Sequence, residues 1–300
     1  MFDKEYPRRT GLEEYGTFFI FDRWDKDISN IVGDMNVFPE YTTCVAPQEP
    51  VEDLSQYDYL YTDVEEKTSA YTFAELYAIC HLPTEKCKKF LTVGNEICLT
   101  MDTEIIGAGD PTIVFQVWGF NHFEKSGVET NNTEDLARVV FGMKGLTSKR
   151  ANANSNHGGW GTSGTKNFVD NIFYFSLPEK IKRNITNIKI LSSEGNQSPN
   201  IVETDGKIFI PSLSEVLYNT NVPYVNEVSH YSENVRFPIF STASTVIKRP
   251  YNGQGNVNDY LTRSPDASQP NYYVVITSSG NTNANWNNAS TYMCCGFCLG

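Results

Sequence analysis

The hydrophobic and polar positions alternate with several different periods along the chain. Phe18-Phe19-Ile20-Phe21 is a short apolar run of strand type within an aromatic, mixed-charge opening. Thr72-Phe73-Ala74-Glu75 has the spacing of a capping box and predicts a helix with Phe73, Leu76 and Tyr77 on its apolar side, stopped by Pro83. A second turn follows around Glu85–Phe90, and 92–118 is strand-like, with Ile97-Cys98-Leu99 and Ile113–Trp118 on either side of a turn at Gly107–Pro111. The pattern leaves Ala137–Lys144 open between helix and strand. Phe168, Ile172 and Phe175 fall at helical spacing, and Pro178 suits a first helical position with Ile181 and Ile185 beyond it. Ile188–Leu191 and Lys207–Ile210 predict strands. Ser212-Leu213-Ser214-Glu215 is a second capping box, opening a helix to about Tyr218. Almost no helical period survives in the last third, which offers Tyr272–Thr277, a turn at Ser278-Ser279-Gly280, an asparagine run and a closing strand near Tyr292–Leu299. The expected class is α+β, with antiparallel strands, short helices and long ordered loops.

Composition narrows the function more than the fold. Lys+Arg 24 against Asp+Glu 36 gives a net charge of −12, which disfavours a phosphate-backbone partner, so no nucleic acid is expected. No apolar run approaches the length of a membrane span, and no charged start leads into an apolar signal stretch, so neither membrane insertion nor an export signal is expected. The chain holds 28 Asn and 39 aromatic residues. Asn and Tyr supply adaptable hydrogen bonding and rigid amphipathic rings at recognition surfaces, and Asn also serves loop-rich β proteins because it tolerates left-handed turns. Pro47, Pro50 and the acids interleaved with Tyr57, Tyr59 and Tyr61 predict an extended connector over 46–68.

Candidate chemistry is sparse. Cys80, Cys87 and Cys98 beside His81 lack the tight pairing of a zinc site, and Cys294 and Cys295, adjacent on a strand, point to opposite faces. Buried thiols in a reducing compartment are the expectation, with no metal and no cofactor. The four His (81, 122, 157 and 230) sit in no nucleophile motif. Gly158-Gly159-Trp160-Gly161 lacks the Lys-Ser/Thr of a phosphate loop and predicts a tight backbone turn. Catalysis is not expected.

A set of landmarks carries a family resemblance. Val117-Trp118-Gly119-Phe120-Asn121-His122, Phe141-Gly142-Met143-Lys144, Gly158-Gly159-Trp160, Leu177-Pro178-Glu179-Lys180-Ile181 and Lys207 to Glu215 occur in that order, followed by Phe237-Pro238-Ile239-Phe240, Arg263-Ser264-Pro265, Tyr272 to Gly280 and Gly296-Phe297-Cys298. Together they resemble an uncharacterised C-type-lectin-like domain of prophage tail and fibre proteins and of gut bacterial surface proteins. Its fold relatives are formylglycine-generating enzymes and the variable proteins of diversity-generating retroelements. The resemblance covers 110–300 and, more loosely, 72–109; Tyr260-Leu261 stands where many members have a Trp pair. The oxidising Cys pair of the enzyme relatives has no counterpart. Gln269-Pro270-Asn271 with Trp286-Asn287-Asn288 superficially matches the calcium pair of sugar-binding lectins but offers no carboxylate there.

The resemblance implies a helical-plus-strand lead at 71–109 and a C-type-lectin-like domain at 110–300; residues 1–70 match no known family, and an attachment or oligomerisation region is the expectation for them by inference alone. The resemblance also implies a non-enzymatic bacteriophage virion surface protein, a tail or head fibre, tip or decoration subunit. Such a subunit would be assembled in the host cytoplasm, homotrimeric by analogy, and in contact with other virion proteins and a host cell-surface glycan or protein. The alternative is a purely structural capsid or tail component. Asn281, Asn283, Asn285 and Asn287 alternate, and on a strand they would share one face. Asn271, Tyr273, Asn281, Asn283, Asn285, Trp286, Asn287, Asn288 and Tyr292 are therefore the candidate ligand-binding residues. The competing reading is a loop whose Asn side chains bond their own backbone.

Overall fold

The computed structural model describes residues 17–24, 39–45, 59–61, 71, 73–106, 112–147, 151, 153, 155–217, 226–246, 248, 256–286 and 289–300. Near the N-terminus β1 (Thr17–Trp24) pairs antiparallel with β2 (Pro39–Val45), Thr17 opposite Val45. The apolar run at 18–21 is thus a strand. Of the connector expected at 46–68, Tyr59–Tyr61 forms β3 and the rest lies outside the described residues.

Two short helices follow, α1 (Phe73–Cys80) and α2 (Thr84–Phe90). Pro83 ends the first and stands at the N-cap of the second, where its missing N–H costs nothing. Thr72, the expected cap of α1, lies outside the described residues. β4 (Glu96–Thr100) pairs with β5 (Thr112–Phe120), whose Ile113, Phe115 and Val117 are buried while Val114 and Gln116 are half-covered, as a period of two requires. Between them lies the single turn of α3 (Thr103–Ile106). The undecided 137–144 resolves as a strand, β6 (Val139–Met143), because both of its faces are buried and its β-branched and aromatic side chains suit that position.

The helical stretch from 164 is continuous: α4 (Gly164–Phe168), a π-helical turn at Val169–Phe173, and α5 (Tyr174–Ser176). Leu177 breaks it, and α6 (Glu179–Asn184) follows with Pro178 at its N-cap. β7 (Ile188–Ser193) pairs with β8 (Ile201–Gly206), a strand that the polar letters of 201–206 did not announce. β9 (Ile208–Phe209) leads into α7 (Leu213–Val216), and the 212–215 capping box forms, Ser212 and Glu215 each bonding the other's backbone N–H. That helix stops at Val216, short of Tyr218, which is outside the described residues. α8 (Ala243–Val246), β10 (Tyr260–Pro265), β11 (Tyr272–Ile276), β12 (Thr282–Trp286), β13 (Tyr292–Met293) and β14 (Gly296–Leu299) complete the chain.

The mixed helices and largely antiparallel sheets make this an α+β structure. Its largest sheet has the order β3-β4-β5-β6-β14-β9, and a second has the order β12-β11-β10-β13. The large sheet runs across both sequence boundaries, at 70/71 and 109/110. One apolar core crosses the second boundary, extending from Tyr71 through Leu76, Ile97 and Phe115 to Phe297 and Leu299. Trp118 lies over the backbone of Gly142 on the neighbouring strand: a Cβ there would stand 2.0 Å from the indole. Cys80, Cys87, Cys294, Cys295 and Cys298 are buried free thiols, and burial pushes Cys87 up to about 12 and Cys294 to about 11. The Gly158-Gly159 turn is tight, with both residues in the left-handed region at φ 79° and 64°.

Candidate binding surface

The C-terminal asparagine run forms an edge strand. Among the described residues β12 pairs with β11 alone, with Ile276 opposite Thr282, Val275 opposite Asn283, Val274 opposite Ala284 and Tyr273 opposite Asn285. Cross-strand partners share a face, so Asn283 and Asn285 lie on one face and Ala284 on the other. Asn281 precedes the strand, and Asn287 lies outside the described residues with Asn288. The backbone of Trp286 closes β12; its side chain is outside the described set.

Asn281 and Asn283 are exposed, Asn285 is half-buried, and none carries charge. Each amide makes one local bond. Asn285 Nδ2 donates to Thr291 Oγ1 at 2.9 Å, Asn283 Oδ1 accepts the Ala284 N–H at 2.9 Å, and Asn281 Nδ2 donates to Ser279 Oγ at 3.2 Å. Both readings of the run are therefore partly realised: it is a strand, and its amides also bond locally. An amide has two donors and two acceptor lone pairs, so most of the capacity of Asn281 and Asn283 is still available to an outside molecule.

A second polar element flanks Tyr272. Asp266 Oδ1 gathers Ser268 N at 2.8 Å, Ser268 Oγ at 2.7 Å and Gln269 N at 2.9 Å, folding 266–269 into a carboxylate-centred turn. The exposed Asn271 then turns the chain with φ 67°. Gln197 Nε2 donates to Ser268 O at 2.7 Å, which ties the 194–200 loop to this turn.

Two candidate residues sit elsewhere. Tyr273 is 1% exposed, and its hydroxyl donates to Ser155 O at 3.2 Å and Gly159 O at 3.1 Å. This corrects its place among the ligand-facing rings: β11 is covered on both faces, so the ring packs inward and braces the Gly158-Gly159 turn. Tyr292 is half-buried and opens β13, which pairs with β10 at the opposite edge of the sheet from β12.

An ionic network holds the sheet from within. Arg263 of β10 is wholly buried and grips Glu215 with both terminal nitrogens, Nη2 meeting Oε1 at 2.6 Å. His122 Nε2 and Glu215 Oε1 are 2.8 Å apart. Burial would raise the Glu215 carboxyl, but the Arg263 charge and the His122 contact outweigh it and hold it down at about 2. Glu227, also wholly buried, accepts from Ser193 N at 2.7 Å and from the Ser264 hydroxyl. Sequence reading found Glu215 as a helix cap and Arg263 as a family landmark, but nothing in the letters joined them, and Glu227 carried no signal at all. Among the described residues no group of three or more His, Cys, Asp or Glu is arranged to hold a metal ion. Nor, among those residues, is any helix long and apolar enough to cross a membrane.

No curated protein and no solved structure matches the chain. The family model described as a domain of unknown function, DUF6273, matches residues 131–298, more than half of the 300-residue chain, and the chain belongs to that family.

Proposed function

We propose that this chain is a bacteriophage virion surface protein whose C-terminal part is a C-type-lectin-like domain that binds a host cell-surface glycan or protein. The reading rests on the order of the landmarks from Val117 to Cys298, and a single structural observation supports it: the uncharged amides of Asn283, on β12, and of Asn281, just before it, stand exposed. Such a strip can hydrogen-bond sugar hydroxyls or a peptide without the desolvation cost of a charge. Individual sites of this kind are weak, and repetition in an oligomer, a homotrimer on this reading, raises the avidity. Residues 1–70 join the subunit to other virion proteins, and the chemistry is binding rather than catalysis.

A structural capsid or tail role is the second reading, and the edge position of β12 among the described residues favours it, since such an edge can add a strand from a neighbour. Against that, the Ala284 N–H is already taken by the Asn283 side chain, which leaves one donor fewer for pairing. Hydrogen exchange of 281–285 in particles carrying the chain separates the two. Exchange as fast as in the isolated protein supports receptor binding. Marked slowing on assembly supports the structural role and overturns the first reading.

A further inference from the structure

Residues 226–233 run over the body of the protein and are fastened at several points. Glu227 reaches into the core with its carboxyl on Ser193 N and Ser264 Oγ, and its own carbonyl accepts from Arg263 Nη2 at 3.0 Å. Further along, Ser229 Oγ donates to Glu124 Oε1 and Ser232 Oγ donates to the carbonyl of His122. Glu233 N donates to Asn121 O at 3.0 Å, and the Glu233 carboxylate pairs with Lys88 of α2. The segment is a strap, and Glu227 is its only wholly buried side-chain anchor.

The charge count around that anchor does not balance with both carboxyls ionised. A guanidinium has five N–H donors. In Arg263 all five are committed: Nε to Leu191 O, Nη1 to Ile210 O and Glu215 Oε2, and Nη2 to Glu215 Oε1 and Glu227 O. None reaches the Glu227 carboxyl, which among the described residues meets one backbone N–H and one hydroxyl. The groups that face it are Arg263 and Ser264 from β10, the Glu215 carboxylate from α7, Tyr273 from β11 and the end of β7, with His122 beyond Glu215. A second carboxylate here loses its water, is repelled by the first and, among the described residues, has only the charge of Arg263, whose donors are committed elsewhere.

We propose that Glu227 is a pH-sensitive latch, held as a neutral acid while the strap is closed and loosening the strap when its proton passes to solvent. Burial, outweighing the Ser264 hydrogen bond and the Arg263 charge, raises the carboxyl from 4.5 to about 7. In the open strap the carboxyl is in water and returns to the ordinary range. The closed form binds the proton more tightly, so the latch is at full strength below about 4.5, weakens as pH rises to about 7 and levels off above that.

Hydrogen exchange of the full chain, corrected for the intrinsic rate at each pH, tests this. Between about pH 5.5 and about pH 8.5 the protection of 226–233 should fall on the order of tenfold, while β5 and β6 stay unchanged. Glu227→Gln, neutral at every pH, should keep its protection throughout. Strap protection that does not change with pH in the natural chain overturns the proposal, as does an equal fall in Glu227→Gln. If that variant does not fold, the carbon resonance of the Glu227 carboxyl in the natural protein decides. A protonated acid near pH 6 that titrates towards about 7 agrees, and a carboxylate already ionised near pH 6 refutes it.

Discussion

Two positions put the sharpest demands on a single residue. Gly142 must lack a side chain because the Trp118 indole occupies the space where a Cβ would stand. Neither atom set is a flexible tip, so the Gly142→Ala variant should lose about 1–3 kcal/mol or more in denaturant unfolding. A loss within about 0.5 kcal/mol, the range of an ordinary surface change, would show that the ring can move aside. Arg263 is the second. Arg263→Met leaves the buried Glu215 carboxylate with only His122 and the Ser212 N–H in place of its guanidinium, and a loss of about 3–5 kcal/mol is expected by the same measurement. The pH dependence of Glu215 has the opposite sign to that of Glu227. Its folded carboxyl is depressed to about 2 from 4.5, so its contribution is present above about 4.5 and is lost as pH falls through about 2. The acid limb of the unfolding midpoint should therefore be steep in the natural protein and shallower in Glu215→Gln. Identical limbs would remove Glu215 as its source. Neither the clash nor the ion pair is legible in the letters: Trp118 and Gly142 are 24 positions apart, and Glu215 and Arg263 are 48 apart.

Elements were legible where a local signal was strong. Ser212 and Glu215 announced their own helix start, Pro83 marked the stop of α1, Pro178 marked the start of α6 although it stands at the N-cap and not the first helical position, and the strand-like run Ile113–Trp118 gave β5. β8 was missed because its Glu203, Thr204 and Asp205 offer no apolar alternation; pairing with β7 makes it a strand. The Asn run was read correctly as alternating, but whether it formed a strand depended on β11 beside it. Two substitutions probe these elements. Ser212→Ala removes a buried cap hydroxyl and should cost about 1 kcal/mol in thermal or denaturant unfolding, and no change would mean the box adds nothing beyond packing. Asn285→Ala cuts the bond to Thr291 and should speed exchange at 289–293 while leaving β10 protected. Unchanged exchange there would show that the 285–291 contact holds nothing in place.

At the scale of the whole molecule, the sequence suggested three successive parts; the large sheet joins residues from all three, and the core joins the second and third. Leu76, Ile79, Ile97 and Leu99, from the lead, are fully buried in the same core as Phe141 and Phe297. A chain cut to 110–300 would expose them as vacancies on one side of β5, and each lost aliphatic side chain costs about 2–5 kcal/mol. The cut chain should therefore unfold without a cooperative transition, and a cooperative transition like that of the full chain would show the later part to be self-sufficient. Long-range joins of this kind leave no trace in local periodicity, so the letters could not show them.

The central functional claim is that the exposed amide strip of 281–285 contacts a cell surface. It is tested most directly by displaying the full-length protein on a multivalent carrier and titrating it against a panel of intact bacterial cells. The natural protein is compared with the Asn281→Ala/Asn283→Ala double variant, whose changed residues are exposed and whose fold is checked by its unfolding midpoint. The account predicts saturable binding by the natural protein to at least one strain and a loss of about tenfold or more in the variant. Equal binding by a folded variant would contradict the site, and no binding by the natural protein on any cell would contradict the receptor role itself.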